Sequence, residues 1–149
     1  RQPIALNMSE QAILFPVLAL AALTFAIAIV MLRRRVREMR ERRIRPQELA
    51  TAAAMSTTLK DTGPADNFRN LFELPVLFYT AILIIYSTQL TASIYIALAW
   101  LFVGSRLVHS VIACTTNRVR HRFYAYAVGF FTLAAMWVLL AWDLIAGSR

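Results

Sequence analysis

Residues 66–76 read Asp66-Asn67-Phe68-Arg69-Asn70-Leu71-Phe72-Glu73-Leu74-Pro75-Val76, and they open directly into an uncharged run from Leu74 to Ala92. A bilayer hydrocarbon core about 30 Å thick takes roughly 20 helical residues. The run is long enough to cross, so Glu73 stands at or inside the membrane edge. Ionisable groups there are costly unless paired, which makes them functional candidates. On one continuous helix, Asp66, Asn70 and Glu73 follow i, i+4, i+7 spacing and share a face, with Arg69 beside it.

Composition points the same way. Hydrophobic residues make up 59% of the 149 and charged residues 16%, far from the balance of a soluble domain. The apolar residues also come in blocks. Ala12 to Leu32 and Phe123 to Trp142 carry no charge. Leu90 to Ser105 is uncharged too, and becomes a full span by continuing through Arg106 and His109 to about Thr116. The expectation is an all-α, integral membrane four-helix bundle in one domain, residues 8–149, with spans at about 12–33, 68–90, 93–116 and 122–143. Residues 1–7 read as an expression remnant, because Met8-Ser9-Glu10-Gln11 is a plausible native start. The first span is read as retained rather than as a signal peptide. It has no basic segment ahead of it, and its positive charges follow the apolar run.

Those charges set the orientation. Eight of the sixteen Lys and Arg lie between Arg33 and Arg45, and Arg118, Arg120 and Arg122 lie between spans three and four. The turn from Ser87 to Ser93 has none. The positive-inside rule puts both basic loops in the cytoplasm and both termini outside. Topology and contact with anionic lipid then account for the net charge of +8, and no nucleic acid is needed to explain it.

The loop 33–65 divides at Pro46. Arg33 to Ile44 suits a helix that prolongs span one, with Glu38 and Glu41 placed four residues before Arg42 and Arg45. Glu48 to Leu59 suits a short helix, and Asp66 or Asn67 could cap span two. Pro75 cannot donate to the carbonyl of Leu71, so a kink is expected there.

A polar layer emerges from depth. Arg106 lies eleven residues before Asn117, about 16 Å from the basic end of span three. Glu73 lies seven residues past Asp66, about 10 Å in. His109 is one turn from Arg106, and Tyr126 one turn from Arg122. The simplest structural expectation is a network in which Glu73 and Asn70 satisfy Arg106. Even so, Arg69, Arg106, Arg118 and Arg122 face only Asp66 and Glu73, and a cationic surplus invites an anionic ligand.

In these motifs the chain resembles the MAPEG family, membrane-associated proteins in eicosanoid and glutathione metabolism, and its bacterial branch in particular. The resemblance spans roughly residues 12–142. It rests on Arg69, Asn70 and Glu73 opening span two, on Arg106 and His109 in span three, and on Arg122 and Tyr126 in span four. It implies a homotrimer of four-helix protomers with glutathione held between subunits near the cytosolic side. Arg122 would lie beside the glutathione sulfur as the catalytic residue and favour the thiolate. Arg69, Asn70, Glu73, Arg106, His109 and Tyr126 would hold the peptide. Two positions depart from the pattern. Phe123 stands where one eicosanoid-forming member has serine, and Ala113 where such members have tyrosine.

The functional expectation is a glutathione-dependent transferase or peroxidase acting on apolar electrophiles at the cytosolic side. The alternative is a non-catalytic membrane protein binding lipid or a partner helix at the same cationic site. A transporter fits poorly, since no internal repeat is present. Cys114, the single cysteine, reads as a packing residue, and no metal-ligand spacing surrounds His109 or His121.

Overall fold

A computed structural model describes residues 11–90 and 92–147. Residues 1–7 and Met8, read above as a remnant and a start, lie outside the described residues. Among the described residues the fold is entirely helical. Its elements are α1 (Phe15–Arg42), a short 3-10 turn (Pro46–Leu49), α2 (Ala52–Thr58), α3 (Gly63–Asn70), α4 (Leu74–Ser87), α5 (Ser93–Cys114) and α6 (Val119–Ala146). Four stretches are long and apolar enough to cross a bilayer: α1, α3 with α4, α5 and α6. The protein is an integral membrane four-helix bundle.

α1 starts with Pro16 in its first turn, where a missing N–H costs nothing. Its 28 residues reach about 42 Å, so its arginine-rich last turns project beyond the apolar part of the bundle. It closes on Arg43 at φ 56, with the Ile44 N–H donating to the Met39 carbonyl at 3.0 Å. This left-handed closure more often uses glycine. Glu38 bonds Arg42 at 2.7 Å as the spacing predicts. Glu41 does not reach Arg45. It pairs backwards with Arg37 at 2.7 Å, because the helix has ended before Arg45.

Span two differs from expectation in two ways. It is not one kinked helix, since the chain leaves the helix over Leu71–Glu73 and restarts at Leu74 with Pro75 in the first turn. Proline is well placed there because the first turn of a helix needs no intrahelical donor. Asp66 and Asn67 do not cap the span either. α3 begins at Gly63 behind Thr62, which leaves Asn67 mid-helix and fully buried.

The core runs along the bundle axis through Leu20, Phe78, Ile82, Ile85, Phe102, Met136 and Leu140. Phe78 stacks on Phe102 with ring centroids 4.7 Å apart. α5 and α6 make the most extensive contact, and at the end opposite the basic loops the Tyr95 hydroxyl donates to Asp143 at 2.6 Å. α1 packs against α3 and α5 and touches α4 far less. At the basic end, Arg34 ties three elements. Its guanidinium donates to Asp61 at 3.2 Å and to the Cys114 carbonyl at the end of α5 at 2.6 Å. Glu38 completes the strap by accepting the Lys60 N–H at 2.8 Å and the Asp61 N–H at 3.3 Å. Those backbone donors, Lys60 first, hold its carboxyl below the usual glutamate value.

Candidate functional site

The polar layer is built where α3, α5 and the start of α6 meet. α5 turns Phe102, Ser105, Arg106, His109 and Ser110 inward, since these positions recur at helical spacing on its buried face. Arg106 is 1% exposed. Its Nη2 donates to the carbonyls of Tyr126 at 3.1 Å and Ala125 at 3.4 Å, cross-linking α5 to α6. Its guanidinium carbon lies 4.9 Å from the Tyr126 ring centre and 5.4 Å from that of Phe102. Cation–π contact of this kind stabilises a desolvated guanidinium. Nε and Nη1 have no hydrogen-bond partner.

Gly129 makes this arrangement possible. A methyl group there would overlap Arg106 Nη2 and the Ser105 hydroxyl. The glycine is a notch in α6 into which the guanidinium packs. Gly104, on the exposed side of α5, has open space where a side chain would stand.

His109 joins the layer on both sides. Its Nδ1 lies 3.1 Å from the Arg122 carbonyl oxygen, which can only accept, so Nδ1 carries the proton. Its Nε2 then accepts from the Asn70 amide at 3.5 Å. The imidazole ring sits 6.2 Å from that of Tyr126. Arg122 anchors one arm, Nη1 donating to the Asn117 side chain at 2.7 Å. Asn117 itself has φ 47, a left-handed conformation that asparagine tolerates better than most residues. The rest of the Arg122 guanidinium is open.

Asn70, Arg106, His109, Arg122 and Tyr126 are therefore brought together. Glu73 and Arg69 are not. The expected network in which Glu73 satisfies Arg106 does not form. The break at Leu71–Glu73 leaves Glu73 exposed, with no ion pair, while Asn70 stays on the inner face and meets His109 rather than Arg106. Among the described residues the ion pairs are Arg34–Asp61, Arg37–Glu41 and Arg42–Glu38, all outside the layer. Arg69 faces away, lining a cavity with Arg35 and Asp66. Asp66 and Asn70 thus serve different sites.

Sequence reasoning missed three contributors. Asn67 accepts the Ser110 hydroxyl at 3.3 Å and holds the Cys114 sulfur at 4.0 Å, so the buried cysteine packs in a small polar nook. Its signal was an asparagine in the middle of a membrane-edge helix. Asn117 was marked by its place in a turn between two helices. Gly129 carried no local signal, because only its neighbour across the helix pair gives it meaning.

The family model described as the MAPEG family matches residues 13–142. No curated protein and no solved structure matches the chain.

Proposed function

The chain belongs to the MAPEG family, and on that premise we propose that it is a glutathione-dependent transferase or peroxidase acting on apolar electrophiles. It works as a homotrimer in a bacterial inner membrane, with the basic loops in the cytoplasm and the termini periplasmic. The observation that carries this reading is the pair of guanidinium groups, Arg106 and Arg122, flanking His109 with no carboxylate ion-paired to either. Such a site favours an anionic ligand. Arg106 keeps two buried guanidinium nitrogens without a partner in the protomer, so its positive charge is left uncompensated beside Arg122.

Glutathione, when bound, supplies the thiol whose ionised sulfur is the nucleophile. Arg122 is the catalytic residue. Tied to Asn117 through one arm, it presents its free arm as a fixed positive charge, and a nearby cation lowers a thiol pKa. His109 is a positioning residue, since both ring nitrogens are committed and neither is free to act as a base. Arg106, beneath the Tyr126 ring, lends charge from a water-excluded position where its field is strong. Asn70 and Tyr126 shape the wall. Glu73, exposed on the protomer, is open to a ligand shared with a neighbouring copy.

Phe123, 65% exposed, and Ala113, 2% exposed, favour a second reading in which the same cationic site holds an anion without chemistry. Thiolate difference absorbance separates the two. Wild type in lipid should show saturable thiolate formation with millimolar glutathione. Arg122→Ala should abolish it, and Arg122→Lys should keep part, since a point charge survives while the fork geometry is lost. Wild type with neither saturable binding nor conjugation nor peroxidase activity would leave only the second reading.

A further inference from the structure

We propose that the start of α6 binds an anionic phospholipid of the surrounding bilayer, with its phosphate held by Arg118, Arg120 and His121 and an acyl chain lying along the apolar face below Tyr124. The site uses none of the residues given to glutathione. Tyr124 and Tyr126 are two positions apart, so they project from nearly opposite sides of α6. Arg122 turns away toward Asn117.

The charge here is one-sided. Arg118, Arg120, His121 and Tyr124 line, with Val119, an open cleft of about 440 Å³ whose walls include no carboxylate. From Leu74 to Trp142 the chain has no acidic residue, so the segment that builds the cleft cannot neutralise it. Neither Arg118 nor Arg120 has an ion pair among the described residues. Their placement is also electrostatically poor. The N-terminal end of a helix carries partial positive charge and favours acidic side chains. The first turn of α6 has none, and Arg118 stands at its N-cap with no capping side chain. The positive-inside rule asks only that basic residues lie in the loop. Setting arginines against the like end of a helix dipole is unfavourable, and a bound phosphate relieves it.

The surface below the cleft commits the anion to a lipid. Tyr124, Val128, Phe131, Ala135 and Val138 follow one another at i, i+4, i+7, i+11 and i+14, a single face of α6. All five are exposed. Tyr124 stands at the junction, between the cleft it lines and the apolar run beneath it, with its ring packed edge to face on Phe123. From Arg120 to Phe131 is eleven residues, about 16 Å, close to the hydrocarbon depth of one leaflet. A soluble anion would fill the cleft and leave this face bare. A phospholipid covers both, and basic clusters beside a membrane span attract such lipids.

The test uses the full chain in nanodiscs without glutathione, so a failed glutathione experiment leaves it untouched. Phosphatidylglycerol or phosphatidylcholine, each with a photoreactive group in one acyl chain, is incorporated at trace level and the labelled peptides are mapped. The ratio of phosphatidylglycerol to phosphatidylcholine labelling should be higher by about fivefold or more on residues 124–135 than on the exposed face of α1 around Phe25, although the end of α1 carries more arginines. Arg118→Gln with Arg120→Gln should bring the α6 ratio down to the α1 value. Arg33→Gln with Arg40→Gln removes the same charge from the other basic segment and should leave the α6 ratio unchanged. Millimolar glycerol phosphate should leave it unchanged too. Equal ratios on the two helices in wild type, loss of the α6 ratio in a folded Arg33→Gln, Arg40→Gln variant, or displacement by glycerol phosphate overturns the proposal, even if the change at Arg118 and Arg120 prevents folding. So does an absence of α6 labelling by both lipids, the result expected if a second copy covers this face.

Discussion

Gly129→Ala is the sharpest perturbation of the polar layer. In an ordinary helix interior, alanine is favoured over glycine by about 1 kcal/mol. Here the new methyl group would overlap Arg106 Nη2 and the Ser105 hydroxyl. An arginine tip can often swing aside, but this one is 1% exposed, held to the Ala125 and Tyr126 carbonyls and enclosed by the Phe102 and Tyr126 rings. Overpacking of such a site costs about 1–3 kcal/mol. Losing a hydrogen bond from a charged donor adds about 1.5–3 kcal/mol. Set against the helix-propensity gain, the net destabilisation is about 1.5–5 kcal/mol. At about 2–4 °C per kcal/mol for a chain of this size, the midpoint of thermal unfolding should fall by roughly 3–20 °C. Gly104→Ala is the control. It meets nothing, so only the propensity gain remains and its midpoint should hold or rise. Both are measured by intrinsic fluorescence in one detergent, using Trp100, Trp137 and Trp142. Midpoints that move together in the two variants would refute the notch reasoning.

Glu73→Gln should shift stability by less than about 0.5 kcal/mol, because Glu73 is exposed, makes no ion pair in the protomer and reaches Arg106 only by through-space attraction; a large fall in the unfolding midpoint would restore the buried pair with Arg106. Tyr95→Phe should cost about 1–3 kcal/mol, since it leaves Asp143 without the 2.6 Å donor that joins α5 to α6, and urea or thermal unfolding in micelles reads this directly. The strap at Glu38 should be pH-sensitive. Its folded-state value is depressed, mainly by the Lys60 N–H, so its stabilisation is present above the unfolded glutamate value of about 4.3 and lost as pH falls through the folded value. Protection of the Lys60 and Asp61 amides against hydrogen exchange, corrected for intrinsic rate, should drop across that window, and Glu38→Gln should show the low-pH protection at neutral pH.

Much of this protein is legible in one dimension. Blocks of apolar residues long enough to span hydrocarbon allow only helices, because every backbone polar group must be satisfied within the segment. The four spans and the gathering of Asn70, Arg106, His109, Arg122 and Tyr126 at one level follow from counting residues along those helices. Helical spacing fixes which residues share a face, and the rise per residue fixes their depth.

What counting could not supply is the rotation and separation of one helix relative to the next. The chain breaks at Leu71–Glu73 ahead of Pro75, and that single interruption turns Glu73 to the surface and parts it from Arg106. The same holds for Gly129, whose missing side chain matters only because Arg106 arrives there from another helix. Arg69 and Asn70 are adjacent in sequence, yet one faces α1 and the other His109. Local sequence specifies backbone periodicity through hydrogen bonding and solvent. Which side chains meet across helices depends on how close-packed surfaces settle against one another, and only the tertiary structure decides that.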